Sequence, residues 1–213
     1  MKAKILFSVI SALLLLAPCV FAQPVGQDRI ALDKFESALN RDGFDVHPGN
    51  AGSLNLSEAW CAETPGVEHA LYTNMAPYLR LRIPKSADEP QVLADGFQLL
   101  PDEAIVLIGP TPPPVKYFGY HAFLFTRTFP DGSRQQLFAT LGDTVNNATI
   151  KTIGPTPFDS PVVMIFTPDR GTDERVRMAL LRSGYPAAII NTIVIPSEML
   201  HLGLTKPTMK CGS

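Results

Sequence analysis

Val162-Val-Met-Ile-Phe-Thr167, then Pro168-Asp-Arg-Gly-Thr-Asp-Glu-Arg-Val-Arg-Met-Ala-Leu-Leu-Arg-Ser-Gly184, then Ala188-Ile-Ile-Asn-Thr-Ile-Val-Ile195: two apolar runs of strand length around a helical stretch decide how this chain folds. The first run is short, β-branched and continuous, the pattern of a strand covered on both faces. In the middle stretch Thr172 stands at an N-cap position, and Asp173 and Glu174 fall in the first turn, where negative charge suits the helix dipole. Val176, Ala179, Leu180 and Leu181 make an apolar stripe that Gly184 ends. The helix is expected at 172–183, and the whole reads as a βαβ-like unit.

Working outward, Ile30, Leu32, Phe35, Ala38 and Leu39 recur at helical spacing, which predicts a helix over 28–42 stopped by Gly43. Strands are expected at Phe44–His47, Tyr78–Ile83, Phe97–Leu100 and Ala104–Ile108. The run Gly109-Pro-Thr-Pro-Pro-Pro114 reads as a rigid connector, because proline lacks the amide donor and restricts the residue before it. Tyr117–Arg127 reads as an aromatic strand. Pro130-Asp-Gly132 turns it into a second strand at Gln135–Leu141, the clearest hairpin in the chain. A further strand is expected at Ala148–Ile153, and a short helix at Ser197–Leu202. A second Gly-Pro-Thr-Pro begins at Gly154, but the residues after the two copies do not align, so the repeat is weak. The fold class is therefore α+β: one domain, with a mostly antiparallel sheet, an N-terminal helix and the C-terminal βαβ-like unit.

The first 22 residues read differently. Lys2 and Lys4 precede an apolar run from Ile5 to Ala17, and Val20-Phe-Ala22 carries small residues where a signal peptidase cuts. The run falls short of the ~20 residues that span a bilayer. We read 1–22 as an export signal cleaved after Ala22, and 23–213 as a single secreted or periplasmic globular domain. Proline before Cys19 disfavours a lipidated anchor, and no later run is long enough for an integral membrane segment. Loss of Lys2 and Lys4 makes the formal net charge of −2 more negative. With charges of both signs dispersed, there is no basic stripe for nucleic acid. Arg170, Arg175, Arg177 and Arg182, interleaved with acids, read as a solvated helix face.

Cys61 and Cys211 remain in a compartment that permits disulfides, and one intramolecular pairing is expected. It closes a loop of about 150 residues, for which chain entropy gives roughly 4 to 5 kcal/mol. Free thiols and an intermolecular bridge are the alternatives. Asn55-Leu-Ser57 and Asn147-Ala-Thr149 match a glycosylation pattern and are read as chance.

The stretches Leu32-Asp-Lys-Phe35, Gly43-Phe44, Ala76-Pro-Tyr-Leu79, Pro101-Asp-Glu-Ala-Ile-Val106, Tyr117-Phe-Gly-Tyr120, Leu141-Gly-Asp-Thr-Val-Asn146, Thr167-Pro-Asp-Arg-Gly171, Ile190-Asn-Thr192 and Ile195-Pro-Ser197 resemble a family of uncharacterised secreted bacterial proteins with no assigned activity. The likeness spans most of the chain after residue 22. It implies a complete domain and supplies no mechanism.

No nucleophile elbow, zinc pair, phosphate loop or calcium loop occurs, and the histidines show no metal spacing, so the sequence points to no cofactor and no metal. The candidates are polar clusters at strand ends. Asp143, Thr144, Asn146 and Asn147 form one, with turn chemistry as the plain alternative. Asp169 and Arg170 form another. The arginine fork and free helix amides there suit an anionic small molecule, while a capping loop is the plain alternative. His121 lies in an alternating strand that puts Tyr117, Gly119, His121, Phe123 and Phe125 on one face. Three functions are open: a ligand-binding or interaction module with a small molecule or extracellular partner; an enzyme pairing His121 with Asp143 or Asp169 as acid and base; and a structural or accessory envelope protein.

Overall fold

The computed structural model describes residues 3–9, 25–54, 78–84, 92–94, 99–129 and 132–195. Cys19, Cys61 and Cys211, the helix expected at Ser197–Leu202, and Phe97 and Gln98 lie outside the described residues. The chain is α+β. Among the described residues, one seven-stranded mixed sheet has, in order across it, Ile190–Val194, Pro161–Thr167, Ala104–Pro110, Ala3–Val9, Phe44–Leu54, Tyr78–Pro84 and Leu93–Ala94, and two small antiparallel pairs, Gly119–Tyr120 with Val145–Asn146 and Phe123–Thr128 with Arg134–Thr140, accompany it.

The βαβ unit is present. β10 (Pro161–Thr167) and β11 (Ile190–Val194) pair in parallel, from Val163 opposite Ile190 to Thr167 opposite Val194. The helix between them, α2 (Arg170–Arg182), buries Val176, Ala179 and Leu180. A 3-10 turn, Ala187–Ile189, occupies the start of the expected second strand.

β5 (Ala104–Pro110) runs antiparallel to β10. Its register explains its continuous apolar sequence, since the sheet is covered on both faces. Ala104 and Val106 pack with α1 (Val25–Arg41) and α2 through Phe35, Leu39, Val176 and Leu180. Ile105 and Leu107 pack the opposite way, with Leu124, Leu141 and Met164. Two cores thus lie on either side of one sheet.

β2 (Phe44–Leu54) is longer than expected, running through Pro48 and Gly49 to pair with β3 (Tyr78–Pro84), which ends beside β4 (Leu93–Ala94). β1 (Ala3–Val9) lies between β2 and β5, parallel to both. No strand is expected there from the sequence, because the same residues carry the pattern of an export signal.

Other local expectations shift for identifiable reasons. β5 reaches Pro110, since β1 ends opposite Ile108 and Pro110 meets only Pro161, at a rim where no amide is needed. Leu99 and Leu100 are not in a strand. Instead Glu103 folds the preceding turn by accepting from the Leu100 amide at 2.8 Å.

The aromatic strand divides into β6 (Gly119–Tyr120) and β7 (Phe123–Thr128), while β8 (Arg134–Thr140) completes the expected hairpin. In place of the strand at Ala148–Ile153 there is the short β9 (Val145–Asn146) and a turn. The Asn146 side chain makes that turn, with Oδ1 accepting from the Ala148 amide at 2.8 Å. The buried Asn191 carboxamide then holds the next segment, accepting from Lys151 N at 2.7 Å and donating to Lys151 O at 3.0 Å.

The two Gly-Pro-Thr-Pro copies meet at one point. Thr111 Oγ1 accepts from Ser160 N at 2.9 Å, and Ser160 Oγ donates to Thr156 O at 3.0 Å.

The arginines of α2 are not a uniformly solvated face. Arg177 donates to Thr192 Oγ1 at 2.6 Å and to Ile190 O, tying α2 to β11. Arg175 lies over the Phe44 ring, 4.1 Å from its centroid, and donates to Asp42 O at 2.6 Å. Arg182 pairs with the Asp42 carboxylate. The interleaved acids disguise these ties in sequence, because a short-range charge pattern does not record partners from another element.

Candidate functional site

Strand alternation builds the site. Along 117–124 the described side chains alternate in burial even where the strand is interrupted: Phe118 and Leu124 are buried, whereas Tyr117, Gly119, His121 and Phe123 are exposed. Phe118 is anchored edge-on by Tyr120 and Phe158, at centroid separations of 6.0 and 5.7 Å. The inner row therefore fixes the outer row's position. Burial of Tyr120 pushes its phenol up to about 12.

The outer row converges with the loop after β8. β6 pairs with β9, Gly119 opposite Asn146 and Tyr120 opposite Val145, which brings Thr144 up to His121. Thr144 Oγ1 is hydrogen-bonded to His121 Nδ1 at 2.9 Å. The imidazole stacks on Phe123, with centroids 5.4 Å apart and planes 23° apart. Gly119 leaves the space that permits this. A Cβ there would fall 2.8 Å from both Thr144 Cγ2 and Tyr117 Oη, and 3.2 Å from His121 Nε2. Three polar-tipped side chains thus gather over one glycine, flanked by an aromatic stack. Tyr117 is 59% and Phe123 54% exposed.

The remaining candidates divide. Asp143 is exposed beside Thr144, in a loop that crosses the end of β11, where a Cβ on Gly142 would lie 3.5 Å from Val194 O. Asn146 is taken up by its turn, and the Asn147 amide donates to Phe118 O at 3.2 Å. Asp169 is the N-cap of α2, accepting from the Thr172 amide at 2.6 Å. Gly171 allows this close approach: a Cβ there would be 3.0 Å from the Asp169 carboxylate. A carboxylate of the chain itself thus sits where an anion would bind, with Arg170 exposed alongside. The structure joins His121 to Thr144 and gives Asp169 a partner within its own helix.

Tyr117, Gly119 and Phe123 complete the surface and were not among the candidate residues. The alternation that puts them on the face of His121 is the available signal; polar clusters at strand ends do not include aromatic residues within the strand. Among the described residues no group of three or more His, Cys, Asp or Glu side chains is placed to hold a metal ion, and no helix is long and apolar enough to cross a membrane.

No protein-family model, curated protein or solved structure matches the chain.

Proposed function

We propose that this chain is an exported ligand-binding module, and that it reads its ligand with Tyr117, His121, Phe123 and Thr144. One observation carries the reading: two large aromatic side chains stay more than half exposed on a row whose geometry is fixed from beneath by Phe118 and Tyr120. Leaving apolar rings in water forgoes burial worth about 25 cal/mol per Å², and a pre-ordered ring surface binds at little entropic cost. The matching ligand has a flat apolar face and hydrogen-bonding groups at its rim, as a sugar ring does. Its C–H face lies on the negative face of an aromatic ring, and its hydroxyls meet Thr144 Oγ1 and the imidazole.

Thermal-shift measurements against a panel of mono- and oligosaccharides, with acidic sugars included, test this. A binder raises the melting temperature because it favours the folded state. Phe123→Ala and Tyr117→Ala are expected to abolish the shift and to leave the unliganded melting temperature almost unchanged, as substitutions of exposed side chains do. A shift that persists in both variants contradicts the assignment. The acid–base enzyme reading, His121 with Asp143 or Asp169, receives less support, since His121 is bonded to the Thr144 hydroxyl, Asp143 is exposed and the Asp169 carboxylate caps a helix.

A further inference from the structure

We infer that His121 and Thr144 together determine specificity for the ligand's polar rim, and that with the imidazole charged they select the carboxylate of an acidic sugar. The inference deepens the proposed ring-binding role of the aromatic row and rests on it.

The contact between the two side chains carries it. Thr144 Oγ1 lies 2.9 Å from His121 Nδ1 and 3.3 Å from Nε2, so Nδ1 takes the closer bond. A hydroxyl gives one proton and accepts through its oxygen, and a neutral imidazole has one donating and one accepting nitrogen. With the ring proton on Nε2, Thr144 donates to Nδ1, and its oxygen is left to accept from a ligand beside the Nε2–H donor. With the proton on Nδ1, Thr144 accepts, and its O–H is left to donate beside an accepting Nε2. Either tautomer therefore offers the ligand a donor and an acceptor, the complement of a sugar hydroxyl.

Protonation changes what the pair presents. Both ring nitrogens then carry hydrogen, Nδ1 donates to Thr144, and the ligand meets Nε2–H, the Thr144 O–H and a positive charge. Two donors beside a cation match the two oxygens of a carboxylate, and charge-assisted bonds are the stronger kind.

The surroundings suit this reading. The imidazole is exposed, where a ligand carboxylate reaches it. Its ring lies on Phe123, with planes 23° and centroids 5.4 Å apart, and an aromatic face attracts a cation, so the stack holds the ring in both protonation states. Among the described residues, the charged side chains beside the row are Lys116, next to Tyr117, and Asp143, next to Thr144, both exposed. Thr140, opposite Phe123 in the hairpin, carries no charge. Of these residue types only histidine ordinarily changes charge between about pH 5 and 8.

The test titrates glucose, glucuronate, galactose and galacturonate into the isotope-labelled protein at about pH 5.5 and about pH 7.5, values on either side of the imidazole's ordinary range. A sugar carboxylate is ionised at both, so a change in preference belongs to the protein. The ratio of uronate to parent-sugar affinity is expected to be about three- to fivefold larger at the lower pH, the size of one exposed charge contact. In His121→Gln, whose carboxamide keeps a donor and an acceptor but does not titrate, the ratio is expected to be the same at both pH values. In Asp143→Asn the change with pH is expected to remain. A ratio that is flat with pH in the unsubstituted protein overturns the inference alone, as does a change that persists in His121→Gln or vanishes in Asp143→Asn. Failure of all four sugars to perturb the aromatic row at either pH overturns the ring-binding reading itself, and the inference with it.

Discussion

Gly119 has no side chain, yet the site depends on it. A methyl group at this position falls 2.8 Å from Thr144 Cγ2 and Tyr117 Oη. Tyr117 is displaced from the row, and Thr144 has only χ1 to turn, which breaks its bond to His121. Gly119→Ala is therefore expected to destabilise the protein by about 1 kcal/mol, the worth of one such hydrogen bond. It is also expected to remove the imidazole's fixed orientation, seen as a changed His121 resonance in NMR spectra. An unchanged resonance would mean that Thr144 does not orient the ring.

Tyr120 makes a second prediction at the same scale. Its folded-state pKa, about 12, lies above the ordinary 10.0 because burial disfavours the phenolate. The stabilisation is present below pH 10 and is lost as pH rises through 12, since the unfolded chain releases the proton first. Urea denaturation between these pH values is expected to show stability falling, and Tyr120→Phe to flatten that part of the profile. An equal decline in the variant would assign the loss to another group.

Among the elements, α2 shows how local chemistry and distant partners divide the work. Asp169 caps its first turn through Thr172 N, so Asp169→Ala is expected to cost about 1 kcal/mol in chemical denaturation. No loss would imply that Thr172, the cap expected from sequence, takes over. Asn191 acts at longer range: buried in β11, it satisfies both the amide and the carbonyl of Lys151. Asn191→Ala leaves those groups without their partner and is expected to cost about 1–3 kcal/mol. A smaller effect would show that water replaces the carboxamide.

Legibility followed the range of the forces involved. The βαβ unit, α1 and the β7–β8 hairpin could be read because periodicity and turn residues are local. The strand expected at Ala148–Ile153 failed because Asn146 turns the chain with its own side chain, which competes with ladder formation. The arginine ties to Asp42, Phe44 and Thr192 were invisible because their partners lie on other elements. The outer aromatic row was legible by alternation, but its gathering over Gly119 depends on β9 arriving from 27 residues later, Asn146 opposite Gly119.

For the whole molecule, one sheet separates two cores. Its helix-side face carries the charged and cation–aromatic ties that hold α2 to β2 and β11. The opposite face packs against Tyr120 and Leu124, which alternate with the exposed aromatic row. We propose that ligand recognition belongs to the second face, whereas Asp169 caps α2. The most direct test is a titration of isotope-labelled protein with the ligand found by thermal shift, followed in amide and aromatic NMR spectra. Perturbations are expected to centre on Tyr117, His121, Phe123 and Thr144, with residues 169–173 unmoved; perturbations centred on Asp169 and Arg170, with the aromatic row silent, would contradict ligand recognition by that row.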